Sequence, residues 1–117
     1  MENLTIGDIA AKIAPVAEKY ALRYVWLFGS RARGDARPDS DVDLLTTMEG
    51  SHIKSLTDLG GLYMDFKDVL GTELDIATLE GIQQSLSSRR FSSTAQTFHA
   101  EIEKEKVLIY EFRENDG

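Results

Sequence analysis

Phe28-Gly29-Ser30-Arg31-Ala32-Arg33-Gly34, followed across a polar turn by Asp41-Val42-Asp43, decides how this chain is read. Gly29 closes the apolar run Tyr24-Val25-Trp26-Leu27-Phe28, which is aromatic and β-branched and predicts a buried strand. Glycine at the end of such a strand lets the backbone turn sharply and approach a ligand, and the residues after it can open a helix whose free N–H groups face that ligand. Phosphate suits the position. Ser30 offers a hydroxyl, while Arg31 and Arg33 offer charge that can reach outer phosphates. A plain strand-to-helix turn with solvated arginines would use the same residues, so the turn alone leaves both readings open.

The aspartates carry the argument further. On a strand beginning near Asp41 and running to about Thr47, the two-residue period sends Asp41 and Asp43 to one face and Val42 and Leu44 to the core. Two carboxylates so placed repel unless a cation lies between them, and magnesium, which takes carboxylate, water and phosphate oxygens at ~2.0 to 2.1 Å, answers that need. A solvated acidic turn would account for Asp35 and Asp39. It accounts poorly for Asp43 between Val42 and Leu44-Leu45. A third acid, Asp75, sits between Leu74 and Ile76 in a predicted strand from Glu73 to Thr78, on a buried or half-buried sheet face. If that strand neighbours the previous one, the three carboxylates can hold two metal ions ~3.5 to 4 Å apart that polarise a phosphate and acidify an attacking hydroxyl. Asp75 is the best candidate for the residue nearest that hydroxyl, as ligand or proton acceptor.

The rest of the chain supplies a scaffold. Ile6, Ile9, Ala10, Ile13, Ala17 and Tyr20 recur at helical spacing behind a capping box of Thr5 and Asp8, and Pro15 predicts a break into two short helices. Leu56, Leu59, Tyr63, Phe66, Val69 and Leu70 mark a helix within 53–70; its Gly60-Gly61 pair suggests close packing on the sheet, and Gly71 ends it. Beyond a segment rich in serine and threonine, Phe98 to Lys104 reads as a short helix and Val107 to Tyr110 as a last strand. This order predicts an α/β (α+β) arrangement, one domain over 1–117 with a small mixed sheet flanked by helices. Trp26, Phe28, Tyr63 and Tyr110 fit core positions, Arg89-Arg90 a solvated segment, and His52 and His99 surface or interface positions.

Composition sets the outer limits. At 117 residues there is room for a core but not for a catalytic domain plus a full substrate-binding domain. The absence of cysteine excludes disulfides, thiolate metal sites and cysteine nucleophiles, so any metal is held mainly by oxygen. A net charge of −7 argues against a nucleic-acid groove and is compatible with a nucleotide or a basic protein partner. No long apolar run or secretory leader is evident, so the expectation is a cytoplasmic protein without a membrane partner.

Gly29-Ser30, ten intervening residues, Asp41-Val42-Asp43 and later Asp75 together resemble the signature of the DNA polymerase β-like nucleotidyltransferase superfamily, with its palm fold. The short length and the run Phe28 to Gly34 narrow the resemblance to the minimal nucleotidyltransferase (MNT) proteins, and it extends from Ile6 to Tyr110. It implies that Asp41 and Asp43 bind both metals, that Asp75 binds one and helps to activate the acceptor, and that Gly29 and Ser30 hold the nucleoside triphosphate. It further implies an antitoxin paired with a HEPN-family ribonuclease toxin, transferring AMP from ATP to a toxin tyrosine with Mg²⁺, and a hetero-oligomer of the two. Two other functions stay open: an antitoxin that acts by covering a basic toxin, and a small-molecule adenylyltransferase of the aminoglycoside type.

Overall fold

The computed structural model describes residues 4–86 and 92–112. Helix α1 (Ile6–Lys19) starts at the predicted capping box: Asp8 N–H donates to Thr5 Oγ1 and Thr5 N–H to the Asp8 carboxylate, both at 3.0 Å. The predicted break at Pro15 does not occur, and α1 runs through it. Proline in a helix interior costs about 3 kcal/mol or more. Against that cost, α1 buries Ile9, Ile13, Val16 and Ala17 to 6% exposure or less, and each large aliphatic side chain contributes about 1.5–3 kcal/mol. Pro15 itself is on the exposed side, where it displaces no core neighbour.

Strand β1 (Tyr24–Phe28) leads through the short helix α2 (Ser30–Arg33) to β2 (Val42–Thr46). Helix α3 (Leu56–Leu70) then crosses to β3 (Leu74–Thr78), which lies parallel to β2, as a helical crossover permits. The chain continues through α4 (Leu79–Leu86) and α5 (Ser92–Glu105) to β4 (Val107–Glu111), antiparallel to β1. The sheet order is β3-β2-β1-β4, a mixed four-stranded sheet. Alternation along its strands divides the core in two. Val25, Leu27, Val42, Leu44 and Leu74 pack with Ile9, Ile13, Leu62 and Phe66 under α1 and α3, while Phe28 and Leu45 pack with Ile82 of α4 and Ile102 of α5.

Several boundaries differ from expectation. Gly60 is exposed with open space around it, and Gly61 faces the Tyr20 hydroxyl, so the glycine pair admits the end of α1 and does not press α3 onto the sheet. Helix α4 lies ahead of the stretch rich in serine and threonine and enters it only at Ser85, and its first turn is tied down. Glu80 accepts from Thr47 Oγ1 at 2.6 Å and Met48 N–H at 2.9 Å, and Thr78 Oγ1 accepts from Gly81 N–H at 2.9 Å. Helix α5 begins six residues before the expected Phe98. Trp26 is only half-buried, stacked on Tyr24 with the Lys106 ammonium 5.0 Å from its ring centre. Arg89 and Arg90 lie outside the described residues. No helix among the described residues is long and apolar enough to cross a membrane.

Candidate active site

The predicted carboxylates gather at one end of the sheet, on the face that carries α4 and α5. Parallel pairing of β2 with β3 sets Asp43 opposite Asp75 in register, so both side chains leave adjacent strands on the same side and their like charges act on each other. Across the other edge of β2, Asp43 is opposite Phe28 of β1. The next residue, Gly29, turns with φ of 74°, and a Cβ built there would collide with the Asp43 carboxylate. Both conformation and space therefore require glycine at 29.

Two of the aspartates sit differently from expectation. The sequence places Asp41 on the strand, but β2 begins at Val42 and Asp41 stands exposed just before it. Asp75 is exposed, because β3 is an edge strand and no further strand among the described residues pairs with its far side. Asp43 alone is half-buried. Its burial, then the Asp75 and Asp41 charges, push its carboxyl up from 3.8 to about 6, while Arg33 pulls the other way.

A carboxyl so held lacks a positive neighbour of sufficient strength, which is the condition a divalent cation relieves. Among the described residues no three acidic or imidazole groups converge into a ready cage. Magnesium in nucleotide sites takes one or two carboxylates and completes its shell with water and phosphate oxygens, so Asp43 and Asp75, with Asp41 at their edge, fit that ion and not an all-protein cage.

The two arginines divide. Arg31, expected at outer phosphates, is 5% exposed and turned beneath the loop that leads to Asp41, where it donates to Ser40 O at 2.7 and 3.2 Å and to Pro38 O at 3.4 Å. It clamps that loop. Arg33 is exposed and pairs with Asp35 at 3.2 Å and with Glu105 at 3.1 Å. Nothing in the sequence sets Glu105 apart within the run Glu101 to Lys106. The fold brings it to the glycine turn, where it also accepts from Gly29 N–H at 3.1 Å.

From Asp75 the same face continues past Ala77 into a cleft of about 480 Å³ between β3, α4 and α5, walled by Ile82, Ser85 and Phe98. The cleft is open and mostly apolar, and it runs beside the carboxylates without enclosing them.

A family model described as polymerase beta, nucleotidyltransferase matches residues 11–115. A Methanocaldococcus jannaschii protein named as a protein adenylyltransferase is 36% identical over 86 residues, 74% of this chain and 90% of that protein. A solved structure described as a minimal nucleotidyltransferase superposes with a TM-score of 0.62 at 26% identity, over 92% of this chain and 98% of that one. A chain from the complex of tri-AMPylated Shewanella oneidensis HEPN toxin with MNT antitoxin superposes with a TM-score of 0.59 at 13% identity, over 92% of this chain and 74% of that one. At that identity the likeness is one of fold.

Proposed function

This chain belongs to the polymerase beta nucleotidyltransferase family, and from that premise we propose that it is a magnesium-dependent antitoxin that transfers AMP from ATP to a tyrosine hydroxyl of a cognate HEPN ribonuclease toxin. The observation that carries the reading is the register of Asp43 with Asp75 beside a turn where only glycine fits. In the proposed reaction the tyrosyl oxygen bonds to the α-phosphorus, the bond to the bridging oxygen of the β-phosphate breaks, and pyrophosphate leaves. Asp75, exposed at the sheet edge, is within reach of an incoming hydroxyl and takes its proton. Gly29 gives the triphosphate a close approach and Ser30 offers a hydroxyl donor, while Arg31 acts indirectly by holding the loop before Asp41. Asp41, Asp43 and Asp75 would hold the magnesium, which neutralises phosphate charge and acidifies the attacking hydroxyl.

The openness of the site supports a macromolecular acceptor. Asp41 and Asp75 are exposed, and the neighbouring cleft does not wrap around them, so a small acceptor would find few walls to orient it. A protein brings its own surface. The relative named as a protein adenylyltransferase and the AMPylated toxin complex support the same choice.

Incubation with α-labelled ATP, Mg²⁺ and the protein encoded beside this one tests the reading. Label on a tyrosine of that partner is expected, abolished by Asp43→Ala. A partner that stays unlabelled while ATP binds, yet is neutralised at equimolar ratio by the Asp43→Ala variant, would establish covering in place of modification.

A further inference from the structure

Glu105 ends α5, three residues after the fully buried Ile102, so helical spacing turns it toward the sheet and the end of β1. There one carboxylate takes two kinds of donor at once. Gly29 N–H reaches Oε1 at 3.1 Å, and Arg33 Nη1 reaches both oxygens at 3.1 and 3.3 Å. A backbone amide at a glycine turn together with a guanidinium is the donor set that an oxyanion selects. The fold has filled it with its own.

The placement is unfavourable for every other purpose. A negative charge at a helix C-terminus opposes the macrodipole. The adjacent Lys106 pairs with Glu103 at 2.8 Å and lends Glu105 no ion pair. The Glu105 side chain is only 19% exposed, and it accepts from the amide of the same glycine whose missing Cβ leaves room for the Asp43 carboxylate, so two carboxylates approach one turn. What holds Glu105 there is Arg33 and the Gly29 amide, the groups nearest to a triphosphate seated on this turn.

We propose that Glu105 is an internal stand-in for phosphate: it occupies the Gly29 amide and Arg33 in the nucleotide-free protein and is displaced when the triphosphate binds. The inference rests on the reading of the glycine turn as the triphosphate seat. A triphosphate brings more charge and more acceptor oxygens to the same donors, and it arrives with a cation that relieves the crowding at Asp43, so exchange is favourable once nucleotide and Mg²⁺ are present. Arg33 passes from Glu105 to the nucleotide. Glu105 thereby lowers affinity for ATP.

Displacement should also be visible optically. Lys106, next to Glu105, stands over Trp26, the single tryptophan of the chain, so movement of the end of α5 changes the surroundings of one known fluorophore.

Calorimetric titration with ATP and Mg²⁺ of the wild type and Glu105→Gln provides the test, with circular dichroism to verify that the isosteric variant is folded. The variant should bind about threefold to tenfold more tightly, as expected for removing a charged competitor of roughly 1 kcal/mol, and the gain should shrink in high salt. Equal or weaker binding by the folded variant, with wild-type binding intact, overturns the inference and makes Glu105 a structural brace. Failure of the wild type to bind ATP overturns the triphosphate reading itself. Trp26 emission in the wild type should change on saturation with ATP; an unchanged spectrum at saturation overturns the displacement whatever the variant does.

Discussion

The two faces of the sheet are built from the same strands and differ in what they were spent on. Under α1 and α3 the alternate residues Val25, Leu27, Val42 and Leu44 form a dry apolar layer. On the opposite face the intervening positions carry Leu45 beside Trp26, then Phe28 in register with Asp43 and Asp75 beyond it, and the apolar cluster there is small. Asp43 and Leu44 are neighbours in sequence, yet one is crowded by like charge and the other almost fully buried in hydrocarbon. The lesson is a division of labour by the two-residue period: one face supplies stability, which lets the other tolerate repelling carboxylates beside a turn with no room for a side chain.

The largest expected break in that contrast is chemical. Asp43→Ala should reduce AMP transfer by at least about 10³-fold, equivalent to about 4 kcal/mol, with a melting temperature no lower than that of the wild type, measured by label transfer and circular dichroism. Its neighbour should behave in the opposite sense. Leu44→Ala opens a cavity on the dry face and should cost about 3 kcal/mol, lowering Tm by about 10 °C, while transfer assayed well below the transition stays within about threefold of wild type, the modest change expected of a residue that only packs the far face.

A smaller effect sharpens the electrostatic half of the comparison. Because the folded protein raises the Asp43 carboxyl to about 6, it holds that proton more tightly than the unfolded chain does. The metal-free protein therefore loses stability as pH rises from about 4 through 6, by roughly 1–2 kcal/mol after solvent screening. Mg²⁺ should raise Tm at pH 7.5 and do little at pH 5, where the proton must first leave. Asp43→Asn should flatten the pH profile of the metal-free protein and abolish the Mg²⁺ response; a thermal-shift series across pH reads all three. The smallest effect belongs to the exposed pair Lys67 and Glu73 at 3.0 Å. Lys67→Ala should change stability by less than about 0.5 kcal/mol in denaturant titration.

Much of the scaffold was legible because its signals are local. The capping box of α1, the apolar run of β1, the helical period of α3 and the apolar run of β4 each report on neighbours within a few residues, and each element lies where its pattern puts it. Pro15 misled because a local cost was outweighed by burial of a face that only the folded core supplies. Helix α4 was not legible for the same reason: it is eight residues long with Gly81 in its first turn, and Glu80 stabilises it through Thr47 and Met48, 33 and 32 residues away in sequence. At the site, spacing was enough to single out Gly29, Asp43 and Asp75. The roles of Arg31 and Glu105 were not legible, since a surface arginine and a buried one look alike in sequence.

By itself the sequence determined the alternation that separates a core face from a carboxylate face, a glycine able to turn the chain sharply at the end of β1, and a mainly oxygen-based chemistry for any metal. Those follow from strand period, backbone sterics and residue type, which do not depend on distant contacts. The tertiary structure alone decided that Asp43 lies in register with Asp75, that Asp41 stands outside the strand, and that Glu105 reaches the turn from 76 residues away. Strand register and the docking of α5 arise from packing between elements far apart in the chain, and no window of sequence contains that information.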